Sequence, residues 1–315
     1  MFHVLQFSGD EDTVNDAPPN IPICDYEGSD YRARFWQNQG REYEDLTERF
    51  ALRKLLPPRG DRLLEIGTGF GRLVDMYQGY DRIALLDYSK SLLQEAQQRL
   101  GTASKYTYIA GNVYHLPFDA AQFDAVCMIR VIHHLADVPS ALSQIAHILK
   151  LGGILILEFA SKFHTKSILR YAMRRQTWSP FNLEPVEFAE LNFDFHPRWM
   201  RQQLVARGFQ IERTRSLSHF RIPLLKRFVP ARLLAVLDRA FQPTGQWWPL
   251  TPSIMLRAKH TGTTLSPNPG ELTFRCPRCG TSTFERAETM LHCTSCGACW
   301  RIDNGIYDFK TPIES

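Results

Sequence analysis

The sequence predicts an α/β protein, a doubly wound and largely parallel sheet with helices on both faces and a small β unit at its C-terminal end. Three observations predict it. Short apolar runs at Leu63–Ile66, Arg82–Asp87, Tyr106–Ala110, Phe123–Ile129 and Ile154–Phe159 alternate with stretches that read as helices. The first run enters a turn with glycine at 67, 69 and 71, the way a buried strand brings its backbone close to a ligand. Two Cys-x-x-Cys pairs stand near the end of the chain. With 315 residues and 44% hydrophobic content, the chain can bury a full core and has room for a small attached unit.

Residues 1–30 carry seven Asp or Glu and no Lys or Arg, and read as an acidic, mobile arm. The stretch Tyr31 to Leu56 places Tyr31, Phe35, Trp36, Tyr43, Leu46 and Phe50 at roughly helical spacing, interrupted at Gly40 and ended by Pro57-Pro58. Tyr31, Trp36 and Tyr43 face either a ligand or the core. The second apolar run ends on Asp87, followed by a helix from Lys90 to Leu100 that Gly101 stops. A carboxylate there can accept both ribose hydroxyls of an adenosine, or else cap the helix that follows.

The stretch Leu63-Leu64-Glu65-Ile66-Gly67-Thr68-Gly69-Phe70-Gly71 resembles motif I of the class I S-adenosylmethionine (SAM) dependent methyltransferases. A dinucleotide fingerprint would place its third glycine where Arg72 stands. Phe123-Asp124, His133-His134-Leu135 and Leu151-Gly152-Gly153, in that order, resemble the type 11 methyltransferases, a group that contains quinone and other small-molecule methylating enzymes. The resemblance covers about residues 63 to 159. It implies a seven-stranded, Rossmann-like methyltransferase sheet and a SAM site made by Glu65, Gly67, Thr68, Gly69, Gly71, Asp87, Tyr88, Asn112, Val113 and Arg130. The family usually has Asp where Asn112 stands; Asn keeps an acceptor for the adenine amino group and loses the charge. Arg130, His133 and His134 follow the fourth strand, near where a methyl group would be transferred. Either histidine can serve as a base if the acceptor must lose a proton, or can pack beneath the cofactor. Arg130 stays charged and suits orienting an acceptor.

Charge is segregated along the rest of the chain. Residues 162–239 hold fifteen Lys or Arg against six Asp or Glu. Lys162, Lys166, Arg170 and Arg174 recur at every fourth position, so a helix would align them for solvent, an anionic acceptor, a membrane headgroup or RNA. The resemblance implies that segments 162–195 and 218–252 are insertions that cover the acceptor, within a methyltransferase domain spanning 31–260. The leucines around Pro230 are expected to pack on the core.

Residues 261–270 read as a linker and 271–315 as a zinc ribbon. Cys276, Cys279, Cys293 and Cys296, each pair followed by glycine, have the spacing of two knuckles that converge on one Zn²⁺, with His292 and Cys299 left outside. The end of the chain resembles small zinc ribbons found as methyltransferase activators, which implies a possible protein partner. Five Lys or Arg against six Asp or Glu in 271–315 make the ribbon a poor phosphate binder, so nucleic acid is not favoured. The expected function is SAM-dependent methyl transfer to a small or lipid-like acceptor; RNA methylation and a non-catalytic scaffold are the alternatives. Met1 to Asp16 lack the pattern of a secretory signal and no run is apolar enough to span a bilayer, so a cytoplasmic location is expected.

Overall fold

A computed structural model describes residues 21–29, 32, 36, 40–262 and 270–313. Most of the predicted acidic arm, Tyr31 and Phe35 of the predicted helix, and most of the linker lie outside the described residues.

Five parallel strands form the centre: β1 (Gly60–Ile66), β2 (Tyr80–Asp87), β3 (Tyr106–Ala110), β4 (Phe123–Met128) and β5 (Leu149–Ala160). A hairpin, β6 (Val186–Ala189) with β7 (Asn192–Asp194), stands apart from the sheet. The strands β8 (Phe209–Leu217) and β9 (Ser253–His260) complete one side, with β9 antiparallel to both β5 and β8. Four C-terminal strands follow: β10 (Phe284–Arg286), β11 (Met290–Cys293), β12 (Cys299–Asp303) and β13 (Ile306–Ile313). All but the hairpin join one sheet, in the order β10-β11-β12-β13-β3-β2-β1-β4-β5-β9-β8. Strand order reverses between β1 and β4, and such a switch point opens a crevice at the carboxyl ends of the strands.

The central strands are apolar on both faces because both faces are covered. Along β1, Leu64 and Ile66 enter one buried cluster and Leu63 the other. The helices that cover them are α1 (Glu42–Leu55), α2 (Lys90–Leu100) and α3 (Val138–Ile148). Ser89 caps α2, accepting a hydrogen bond from Leu92 N at 3.3 Å, and Asp137 caps α3. Asp87 is therefore not the cap of α2. No α-helix follows Gly71: only residues 72–79 separate the glycine turn from β2, and the 3-10 turn Val74–Tyr77 takes up that short span.

The insertions supply α4 (Thr165–Ala172), α6 (Pro223–Phe228) and α7 (Ala231–Phe241), with α5 (Pro197–Val205) before β8. The expected basic stripe does not form. Lys162 precedes α4 and is buried, its ammonium donating to the carbonyl of Glu184, while Arg174 lies beyond the helix with φ +55°. Only Lys166 and Arg170 lie on α4, both exposed. The leucines around Pro230 divide. Leu225 and Leu234 pack toward α1, but Leu224, Leu233 and Leu237 point outward, because α1 offers a surface to only one side of each helix.

The ribbon continues the main sheet. β13 pairs in parallel with β3, setting Ile306, Tyr307 and Asp308 opposite Tyr108, Ile109 and Ala110. Phe274 stacks on Phe118 of the domain at 6.2 Å and meets the tilted ring of Phe309 of the ribbon at 5.1 Å. One apolar cluster thus contains Phe118, Cys276, Leu291, Trp300 and Phe309. The pairing covers an edge of β3 that would otherwise be open.

Candidate active site

The crevice at the strand ends is built on the glycine turn. Gly67, Gly69 and Gly71 have φ of +74°, +54° and +78°. A Cβ on Gly67 would collide with the Val131 side chain, so the turn needs glycine for both conformation and space. Gly67 and Thr68 donate to Leu86 O at 2.8 and 3.1 Å, and Gly69 N donates to Asp87 Oδ2 at 2.7 Å. The end of β2 thereby fixes the turn after β1. Gly71 lies behind the turn: a Cβ there would sit 2.9 Å from Leu100 Cδ1, so its role is packing rather than lining.

Two neighbouring cavities meet at this turn. The larger is lined by Gly67, Gly69, Asp87, Tyr88, Asn112, Val113, Arg130 and His134, and the smaller by Glu65, Gly67, Thr68, Gly69, Arg130 and Trp36. The structure therefore brings together every predicted cofactor residue except Gly71. Burial pushes the Asp87 carboxyl up to about 6, although Gly69 and Ser89 donate to it. Glu65 accepts from Thr68 Oγ1 at 2.8 Å and Tyr77 OH at 2.9 Å, and burial pushes it up to about 7. Its carboxylate braces the glycine turn from beneath. Asn112 Oδ1 accepts from Tyr114 N at 2.9 Å, capping a 3-10 turn.

Residues 21–29, read from the sequence as part of the acidic arm, lie over the larger cavity. Ile23, Cys24 and Tyr26 line it. Glu27 anchors this strap by accepting from Lys90 N and Ser91 N at 2.6 and 3.0 Å, and Lys310 of the ribbon approaches the same carboxylate at 3.5 Å.

A buried carboxylate missed by the sequence reading holds the far wall. Glu48 accepts from Arg72 Nη2 at 2.6 Å and from Arg130 Nε at 2.6 Å. Burial alone would raise its pKa, but Arg130 and Arg72 outweigh burial and hold it below the usual 4.5. Trp36 stacks on the Arg72 guanidinium at 4.0 Å and on that of Arg130 at 5.3 Å. Glu48 shares the buried stripe of α1 with Ala51, Leu52 and Leu55, and a carboxylate in phase with that stripe was the available signal. Tyr43, by contrast, serves packing. It is buried, donates to Asp238 Oδ2 at 2.7 Å and accepts from Phe220 N at 2.9 Å.

Arg130 also has a constrained backbone, with φ +61° and its N–H donating to Glu158 Oε2 at 2.9 Å. Ser253 Oγ donates to the other oxygen of Glu158 at 2.6 Å. The two histidines that follow differ. His134 Nδ1 is 3.0 Å from Leu191 O, and its Nε2 lies 3.5 Å from Tyr26 OH, so both nitrogens are engaged by the hairpin and the strap. The His133 ring lies 4.1 Å from that of His134, tilted by 44°, and its Nδ1 is buried without a hydrogen-bond partner. Burial, then His134, Arg130, Arg221 and Arg41, drive its pKa well below 6.5, so the ring is neutral at ordinary pH. Arg221 also acts on His164 and Asp194, which line a separate cavity beside α4.

The four cysteine sulfurs at 276, 279, 293 and 296 lie within 4.8 Å of one another. Cys276 and Cys296 are 3.8 Å apart, and Cys279 and Cys293 are 3.6 Å apart. Zn–S bonds of about 2.3 Å in a tetrahedron require S···S separations of about 3.8 Å, so the site fits four-coordinate thiolate binding. Gly280 and Gly297, at φ +76° and +74°, donate to the carbonyls of Cys276 and Cys293 and close the two knuckles. His292 and Cys299 stand outside this group.

Residues 64–157 match the family model described as a methyltransferase domain. Over that segment, under a third of the chain, the sequence is similar to this methyltransferase family, and the fold agrees with that of a solved methyltransferase. A ubiquinone/menaquinone biosynthesis C-methyltransferase of Allorhizobium ampelinum is 33% identical over 121 residues, 35% of this chain and 47% of the relative. The chain spans about half the length of the curated relatives it matches. A solved putative SAM-dependent methyltransferase from Listeria monocytogenes shares the fold, with a TM-score of 0.50 at 19% identity, covering 70% of this chain and 99% of that one. A chain from the complex between the Haloferax volcanii Trm112 methyltransferase activator and a putative methyltransferase has a TM-score of 0.50 at 19% identity, covering 73% and 96%. The largely parallel α/β sheet expected from the sequence is thus borne out, with the four C-terminal strands added at its β3 edge.

Removing the carboxylate that ties α1 to both guanidinium groups should be costly. We expect Glu48→Ala to lower unfolding stability by about 3–5 kcal/mol in urea titration, since two partly buried cations lose their partner. Because Glu48 titrates below its ordinary value, its contribution is present above pH 4.5 and lost as pH falls through the depressed value. A cost below about 1 kcal/mol would mean that solvent already screens the cluster.

Proposed function

We propose that the protein is an enzyme that transfers a methyl group from SAM to a small or lipid-like acceptor. The observation that carries this reading is the crevice where the glycine turn, Asp87 and Asn112 converge at the switch point of a methyltransferase sheet. SAM supplies an electrophilic sulfonium methyl. In the proposed arrangement the ribose hydroxyls donate to Asp87, the glycine-turn cavity holds the amino-acid part, and Asn112 with Val113 meets the adenine. The strap from Ile21 to Ser29 closes over it, with Tyr26 against His134.

The acceptor side is proposed to be the region of Arg130, His133 and Arg221. Alignment of acceptor and methyl supplies much of the rate, so the main task of these residues is positioning. A neutral His133 with an unpaired, buried Nδ1 can take a proton from an acceptor oxygen or activated carbon, and the surrounding arginines would favour an acceptor that becomes anionic. His134 is proposed to position the strap and hairpin. The names of the matched relatives, which include a quinone C-methyltransferase and a 27-O-demethylrifamycin SV methyltransferase, support a small-molecule acceptor over RNA. The ribbon is proposed to hold a structural Zn²⁺ on Cys276, Cys279, Cys293 and Cys296. Its own docking on β3 supports an internal role rather than a separate protein partner.

Three outcomes check these assignments. Asp87→Ala should weaken SAM binding about tenfold or more in titration calorimetry, from the loss of charge-assisted hydrogen bonds. Because burial raises this carboxyl to about 6, SAM affinity of the parent should also fall as pH drops through that value, and Asp87→Asn should flatten the dependence. Equal affinity in parent and variants would remove Asp87 from the site.

His133→Ala should lower kcat about a hundredfold while leaving SAM affinity near that of the parent. With the His133 pKa depressed, the acid limb of the parent's kcat profile should lie below pH 6.5. Weakened SAM binding with retained kcat would instead assign His133 to the cofactor pocket.

Elemental analysis of protein prepared without chelator should find about one zinc per chain, released by Cys276→Ser. Since Cys276 and Phe118 share one core, metal loss should lower the melting temperature of the whole chain. Absence of metal would contradict the assignment.

A further inference from the structure

Exposed apolar side chains are concentrated on one part of this molecule. Among the described residues, Phe228 is 72% exposed, Trp247 71%, Trp248 68% and Leu224 65%, all within the second insertion. Isolated exposed leucines need no explanation, but a cluster of this kind does.

The helix α7 makes the geometry explicit. Leu234, Ala235 and Asp238 face inward toward α1, while Leu233, Val236, Leu237 and Phe241 face outward. At 3.6 residues per turn these outward positions form one continuous arc, with Arg232 and Arg239 along its border. Preceding it, α6 exposes Leu224 and Phe228, one turn apart, beside Arg227. The first insertion meets this surface where Thr165 N donates to Leu250 O and Leu250 N to Trp248 O. There α4 adds exposed Leu169, with Tyr171 just beyond it in sequence order.

The charges on these segments have one sign. Residues 222–248 contain one carboxylate, Asp238, and it is buried between Tyr43 and His219. Residues 165–181 contain none. Arg170, Arg174 and Arg175 line an open cavity beside α4, where Asp194 is the one carboxylate against three arginines. Arg227 stacks on Phe228 at 5.6 Å, and Arg232 pairs with exposed Glu42 at 3.6 Å at the border. Long cationic side chains around an apolar patch can extend to headgroups while their stems stay on the apolar surface. Exposed tryptophans suit the same boundary. No helix among the described residues is long and apolar enough to cross a membrane.

We propose that this face, formed by α6, α7, Trp247-Trp248 and the start of the first insertion, binds the surface of an anionic phospholipid bilayer, with α7 lying in the interfacial plane. Its outward apolar arc enters the acyl boundary and the arginines meet lipid phosphates. The proposal goes beyond the methyltransferase reading and does not depend on it.

The test is flotation of the full chain with phosphatidylcholine vesicles, with and without phosphatidylserine. The parent should float with phosphatidylserine vesicles, shift its tryptophan emission to the blue, and dissociate as salt shortens the screening length. Trp247→Ala with Trp248→Ala should lower partitioning about tenfold or more, as two large aromatic surfaces are lost. Charge removal at Arg227 and Arg175 should lower it about fivefold per residue. All these side chains are exposed, and circular dichroism and melting temperature unchanged from the parent would show that the variants fold. Failure of the parent to float, or variants that float as well as the parent, would overturn the proposal. So would a stable dimer that Leu233→Asp and Leu237→Asp disrupt without any vesicle binding, since the face would then be a protein interface.

Discussion

The buried carboxylate of Glu48 fixes the geometry on which the candidate site depends. One side chain of α1 grips Arg72, just past the glycine turn, and Arg130, just past β4. These are the two strand ends between which the sheet order reverses. Bringing three charges into a partly dry wall is favourable only when each is paired, and here two cations share one anion while Arg72 also reaches Asp45. The backbone of Arg130 is held separately by Glu158, so its positive φ is supported from two sides. Together these contacts present a rigid cleft to a ligand.

Around that cleft, coverage comes from three distant parts of the chain. The strap at residues 21–29 reaches Tyr26 to His134, and the β6–β7 hairpin meets the same histidine through Leu191. The ribbon adds Lys310, which approaches Glu27 of the strap and lies over Tyr88 at 5.3 Å. Asp303 of the ribbon also pairs with Lys90 at 2.7 Å. The cysteine-rich end of the chain is thus connected to the cover of the cleft through a few charged contacts, in addition to the shared apolar core.

The central strands were legible in the sequence because they are buried on both faces and bounded by glycine or carboxylate. Tyr106–Ala110 and Lys90–Leu100 agree with the predicted residues. The glycine turn was legible too, since its spacing is imposed by positive φ and by the Val131 contact. What could not be read depends on distant partners. Lys162 matched a helical charge stripe, yet its position before α4 buries it beneath Glu184. Leu237 looked like core because amphipathicity shows that a face is apolar but not what covers it. The role of Glu48 required the through-space meeting of residues 24 and 82 positions away in the chain.

We propose the crevice bounded by the glycine turn, Asp87, Asn112 and the strap as a SAM site. Hydrogen exchange with and without S-adenosylhomocysteine tests it most directly, because each wall has its own backbone amides. Bound S-adenosylhomocysteine should protect residues 67–71, 87–89, 112–114 and 21–29 and leave 165–181 and 222–248 unchanged. Protection confined to the insertions, or none at saturating ligand, would contradict it.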